Sequence, residues 1–116
     1  MLSTRYIEKL PSGNNITVNG IEIPLQVING VAVLRPTQEQ MLSIFKADGN
    51  IVIFDLQEYS AVDIYIDVEC FRDVDKIITF ITNNGSCDVN TKALWNNSGK
   101  QRLITVRNNK LSFTNM

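Results

Sequence analysis

Apolar and polar positions alternate along this chain in short stretches, and a small polar residue followed by glycine cuts many of them. All six glycines sit in that setting: Ser12-Gly13, Asn19-Gly20, Asn29-Gly30, Asp48-Gly49, Asn84-Gly85 and Ser98-Gly99. Asn, Asp and Ser bond their own backbone in turns, and glycine reaches positive φ without a Cβ clash. Asn-Gly or Asp-Gly between apolar runs is the strongest short-range signal for a tight turn. The pattern predicts a string of short strands with a corner at each pair.

Residues 16–34 read as a three-stranded meander. Ile16-Thr17-Val18 turns at Asn19-Gly20 into a strand from Ile21 to Ile28, and Asn29-Gly30 leads into Val31-Ala32-Val33-Leu34. Two-residue turns set Val18 against Ile21 and Ile28 against Val31. One side then carries Ile16, Val18, Ile21, Ile23, Leu25, Val27, Ala32 and Leu34, a core face. The other carries Thr17, Glu22, Pro24 and Gln26 but ends in Ile28, Val31 and Val33, so this end of the sheet is apolar on both faces and predicts a cover over the second. Pro24 lacks an N–H and places an unpaired edge beside it.

A single helix is expected at 38–47. Thr37 and Gln40 form a capping box, Met41, Leu42, Ile44 and Phe45 make the apolar stripe, and Asp48-Gly49 supplies the stop. Strands return at Ile51-Val52-Ile53-Phe54, apolar throughout as in a strand buried on both faces. Val62, Ile64, Ile66, Val68 and Cys70 alternate with Asp63, Tyr65, Asp67 and Glu69, which predicts one buried and one wet face. Residues 76–82 turn at Asn83-Asn84-Gly85-Ser86 into a strand from Cys87 to Trp95. After Asn96-Asn97-Ser98-Gly99 comes a hairpin, Gln101 to Arg107 and Lys110 to Thr114, with Val106 opposite Leu111 and Ile104 opposite Phe113. Eight or nine strands and one short helix predict an all-β, mainly antiparallel domain: a β-sandwich, a jelly roll or a small barrel.

The length of 116 residues fits one domain with a core that needs no metal or disulfide staple. The start of the chain has no apolar stretch of signal-peptide type, which predicts synthesis and residence in the cytosol, or in something assembled there. No apolar run is long enough to span a bilayer as a helix. Cys70 and Cys87 read as small buried thiols, with a cross-strand disulfide as the alternative. The sequons at Asn15, Asn84 and Asn96 read as accidents of an Asn-rich sequence.

The chain has no histidine, which removes the usual base of Ser and Cys nucleophile systems. No phosphate-loop, dinucleotide or zinc-protease motif occurs. Asp63, Tyr65, Asp67 and Glu69 share a strand face by spacing; acid–base catalysis and calcium binding are weighed there against a plain wet sheet face, and the wet face is preferred. The expectation is a non-enzyme with no cofactor and no metal.

Charge is segregated. Residues 1–54 balance, residues 55–75 carry −6 and residues 76–116 carry +5, within a net charge of −1. Two readings stay open. Acidic strand and basic hairpin dock between copies, or they are neighbours in one sheet and neutralise each other within one copy. The basic hairpin has too few aromatics, Trp95 and Phe113, for a nucleic-acid platform. Interface candidates are Ile28, Val31 and Val33 on the doubly apolar sheet end, Asp63, Tyr65, Asp67 and Glu69 on the acidic strand, Trp95 as an aromatic anchor, and Arg102, Arg107 and Lys110 on the basic hairpin.

A short, Asn-rich, His-free all-β chain with Asn-Gly hairpins resembles small structural proteins of tailed-phage particles such as head-decoration proteins, fibre tips and adaptors. The resemblance is one of composition and architecture and assigns no catalytic or binding residue. It implies a structural module that oligomerises or docks on a larger protein assembly, without membrane, nucleic-acid or small-molecule partners. An intracellular inhibitor binding a host protein through residues 55–75, and a carbohydrate-binding jelly roll using Trp95 and Tyr65, are the rival readings.

Overall fold

The computed structural model describes residues 15–95 and 101–115. The expected turns at Ser12-Gly13 and Ser98-Gly99 and the loop at Asn96-Asn97 lie outside the described residues.

Among the described residues nine strands form two sheets. β1 (Asn15–Val18), β2 (Ile21–Ile28), β3 (Val31–Leu34), β5 (Ala61–Asp67), β8 (Gln101–Arg107) and β9 (Lys110–Asn115) make a six-stranded sheet in the order β1-β2-β3-β5-β8-β9. β4 (Ile51–Leu56), β6 (Ile77–Thr82) and β7 (Gly85–Asn90) make a three-stranded sheet in the order β4-β6-β7. Among the described residues five ladders are antiparallel and two, β3–β5 and β4–β6, are parallel. The fold is therefore mostly β, with two sheets around one apolar core to which both contribute.

The meander forms in the expected register, with Val18 paired to Ile21 and Ile28 to Val31. Asn19 and Gly20 hold φ of 49° and 81°, and Asn29 and Gly30 hold 52° and 81°, the pair of positive values that a type I′ turn requires. Asn108 and Asn109 make the same turn without glycine, at 52° and 63°, and set Val106 against Leu111 and Ile104 against Phe113 as expected.

Helix α1 (Gln38–Lys46) has the predicted capping box: the Thr37 N–H donates to Gln40 Oε1 at 2.8 Å, and the Gln40 N–H donates to Thr37 Oγ1 at 3.1 Å. Met41, Ile44 and Phe45 are buried. Gln40 Nε2 donates to the Glu22 carbonyl and Asn19 Nδ2 to the Ile44 carbonyl, which ties the helix to the β1–β2 hairpin. The helix ends one residue early, at an extended Ala47 whose carbonyl accepts from Lys76 Nζ. Phe45 meets the Phe71 ring edge-on at 5.1 Å, and Phe54 packs on Phe80 at 5.2 Å.

Four expectations are corrected. β4 is not buried on both faces: Val52, Phe54 and Leu56 are interior, but Ile51 and Ile53 are 56% and 47% exposed, because no described element covers the outer face of the small sheet. The strand expected from Val62 to Cys70 ends at Asp67, whose carboxylate accepts from the Glu69 N–H and caps a single 3₁₀ turn (Val68–Phe71). Side-chain capping by an Asp competes here with the ladder that alternation implied. The strand expected from Cys87 to Trp95 stops at Asn90 and gives way to a short helix, α2 (Thr91–Trp95). Thr91 causes the change: its buried Oγ1 donates to the Val74 carbonyl at 2.8 Å and accepts from the Lys76 N–H at 3.0 Å. The turn before β7 spans only Asn83-Asn84, with Thr82 paired to Gly85.

Candidate functional site

The outer face of the large sheet is where the expected interface residues converge. Residues of odd number on β3 and β5 face outward there, so Val31, Val33, Asp63 and Tyr65 stand in adjacent columns, with Val33 paired to Asp63. Ile28, at the end of β2 opposite Val31, completes the row. Together with Arg35 these residues line a shallow depression of about 260 Å³. A second depression of about 220 Å³, lined by Pro24, Gln26, Val33 and Arg35, continues it along the same face. Val33 is buried, Val31 half-buried and Ile28 47% exposed, and no described element covers them, so the predicted cover is absent from the described residues.

Arg35 organises the groove. Its guanidinium lies 4.1 Å from the centre of the Tyr65 ring, a cation–π contact. Sequence reasoning missed it, although Val31, Val33 and Arg35 share one parity. Asp63 is held at the groove edge by Arg107, whose Nη2 donates to Asp63 Oδ1 at 2.9 Å while Nη1 donates to the Val62 and Val106 carbonyls.

The remaining candidates lie elsewhere. Asp67 caps the 3₁₀ turn, and Glu69 has left the strand face to pair with Arg72 at 2.8 Å. Trp95 is half-buried beneath the Arg72 guanidinium, 4.9 Å from its ring centre, and lines a different cavity of about 560 Å³ with Phe71, Asp73, Val74, Asp75 and Lys92. Lys110 is exposed at the start of β9. Arg102 is a correction: it occupies the interior parity of Ile104 and Val106, is 1% exposed and lies 5.2 Å from the centre of the Phe113 ring. A residue on that face is unavailable to a docking partner.

The charged segments are neighbours. β5 pairs with β8 along its whole length, and Asp63–Arg107 bridges them. Lys92 reaches Asp75 at 3.3 Å, and with Asn90 it holds the Asp75 carboxyl below its usual range, the Asn90 hydrogen bond being the larger cause. Of the two arrangements weighed for the charged segments, they are neighbours in one sheet, with two ion pairs between them among the described residues.

A further cleft of about 410 Å³ opens between the start of β1 and the end of β4, with Asn15, Leu25, Asp55, Glu58 and Tyr59 on its walls. Among the described residues no three His, Cys, Asp or Glu side chains group as metal ligands, and no helix is long and apolar enough to cross a membrane. Cys70 and Cys87 are free thiols. Comparison of the chain with protein-family models, with curated proteins and with solved structures yields no match.

Proposed function

We propose that this protein is a non-enzymatic structural module, a β-sandwich frame that self-associates through the open end of its large sheet and takes its place in a larger protein assembly of the kind its phage-like composition suggests. The observation that carries the reading is the bare apolar corner at β2–β3. Val27 and Ile28 are 48% and 47% exposed on opposite faces of one strand end, beside Val31 and the Arg35–Tyr65 stack. Large side chains grouped in water on a sheet mark contact surfaces, and covering the exposed half of each is worth about 1 kcal/mol.

The rival readings have less support. The acids that would dock on a host enzyme are engaged within the chain, Asp63 with Arg107, Asp67 in a cap and Glu69 with Arg72. The aromatics that would stack on a sugar, Tyr65 and Trp95, each carry an arginine over one ring face and line separate cavities.

Light scattering on the purified chain tests the reading. The expected result is a mass above the 13.1 kDa protomer, returned to it by Ile28→Lys. A wild-type mass of one protomer at every concentration contradicts it.

A further inference from the structure

Asn-Gly pairs carry a chemistry of their own. The glycine N–H, unshielded by a side chain, can attack the asparagine side-chain carbonyl and close a succinimide ring, which makes asparagine before glycine thermolabile. Three such pairs lie among the described residues: Asn19-Gly20, Asn29-Gly30 and Asn84-Gly85. The fold holds them differently. Asn19 Nδ2, the nitrogen that would leave, donates to the Ile44 carbonyl at 3.1 Å and is fixed between hairpin and helix. Gly85 closes its turn in a pair with Thr82, so its N–H, the nucleophile, is taken by the Thr82 carbonyl. The Asn84 carbonyl is pinned as well, by Asn109 Nδ2. At Asn29-Gly30 neither group is engaged. Gly30 lies inside the Ile28–Val31 closing pair, and its N–H has no acceptor among the described residues. The Asn29 side chain makes no hydrogen bond among them either. A Cβ on Gly30 would meet nothing within 4 Å, so this hairpin tip stands clear of other elements.

We propose that Asn29 is a self-modifying site, converted to an acid in preference to Asn19 and Asn84. The Gly30 nitrogen gives its proton to solvent base and bonds to Asn29 Cγ; the Cγ–Nδ2 bond breaks and the amide leaves as ammonia. Water then opens the succinimide at either carbonyl, to aspartate or isoaspartate, and no oxidant or cofactor enters the balance. A hairpin tip without tertiary hydrogen bonds opens locally at small cost, which gives the nitrogen its approach. The place gives the reaction a consequence. Asn29 borders the depression of about 260 Å³ together with Ile28, Val31, Val33 and Asp63. Either product sets a new negative charge among these apolar side chains, beside an acid already there. Isoaspartate also lengthens the main chain by a methylene inside the two-residue turn that sets the Ile28–Val31 register. The corner therefore ages: new copies associate and converted ones do not. That consequence rests on the self-association reading above; the cyclisation does not.

Peptide mapping by mass spectrometry, on purified chain aged in mildly alkaline buffer, tests the site. Asn29 is expected to convert several times faster than Asn19 or Asn84, with aspartate and isoaspartate both present. In urea, where the turns are lost, the three convert at similar rates, since each is followed by glycine. Folded protein in which Asn29 converts no faster than the other two overturns the proposal. Light scattering reads the consequence separately. Asn29→Asp, the product made by mutation, is expected at the 13.1 kDa protomer mass under conditions where the wild type associates. Asn29→Gly keeps a Gly-Gly pair suited to the same turn, and it holds both its charge and its association through ageing. Conversion at Asn29 with N29D still associating keeps the site and overturns its effect on association. A monomeric wild type overturns the self-association reading, and the mapping result then decides the site alone.

Discussion

Three side chains show how local chemistry sets what this chain does. The Cys70 thiol is pushed up to about 11 from its usual 9.0, by burial first and then by Asp67 and Glu69. At pH 8 about one thiol in a thousand is then the reactive thiolate, so iodoacetamide is expected to spare Cys70 in the folded protein and label it on unfolding. Because the folded chain holds this proton more tightly, stability is fully present below about 9 and declines as pH rises toward about 11. Urea midpoints across that range check the sign. Burial also raises the Cys87 thiol, with Asp88 adding to it. Arg102 is a buried cation whose Nε and Nη2 have no hydrogen-bond partner among the described residues. Replacing such a group by an apolar side chain of similar length removes the cost of keeping a charge out of water. Arg102→Met is therefore expected to keep or raise the urea midpoint, and a large loss would contradict this account of Arg102.

At the scale of elements, the parts that closed on themselves in sequence were readable. Each meander hairpin and the final hairpin has its register set by two central residues, and α1 by Thr37 and Gln40. Thr37→Ala leaves the Gln40 N–H without its acceptor and is expected to cost about 1 kcal/mol in a denaturant titration. Of the misread elements, the end of β5 is set locally by the Asp67 cap, and the others depend on what lies distant in sequence. Thr91 looked like one more β-branched strand residue, but its hydroxyl is taken by Val74 and Lys76, fifteen or more positions away. Ile51 and Ile53 follow the rule for a covered parallel strand, yet the chain supplies no described cover. Arg102 was legible by parity with Ile104 and Val106; grouping it with the basic hairpin overrode that signal. The crossovers that make β3–β5 and β4–β6 parallel leave no local trace, because no turn residue encodes a pairing made across an intervening strand.

For the whole molecule, the two sheets meet along two seams without closing into a barrel. β1 lies against β4, and β7 against β9. The second seam is pinned by Asn109 Nδ2, which donates to the Asn84 carbonyl at the tips of two hairpins. A Cβ on Gly85, where φ is +125°, would stand 3.0 Å from Asn109 Nδ2. Gly85→Ala is therefore expected to cost about 1–3 kcal/mol, read as a lowered thermal midpoint. Charge and apolar surface also make opposite predictions at this scale. Docking of acidic on basic segments weakens with salt, whereas association through the exposed apolar corner of Val27 and Ile28 holds as salt rises.

The most direct test is the mass of the wild-type chain by light scattering over a wide concentration range, at low and high salt. The account predicts a concentration-dependent rise above 13.1 kDa, undiminished by salt and lost in Ile28→Lys. A chain that stays at 13.1 kDa throughout, or an assembly that salt dissolves, contradicts it.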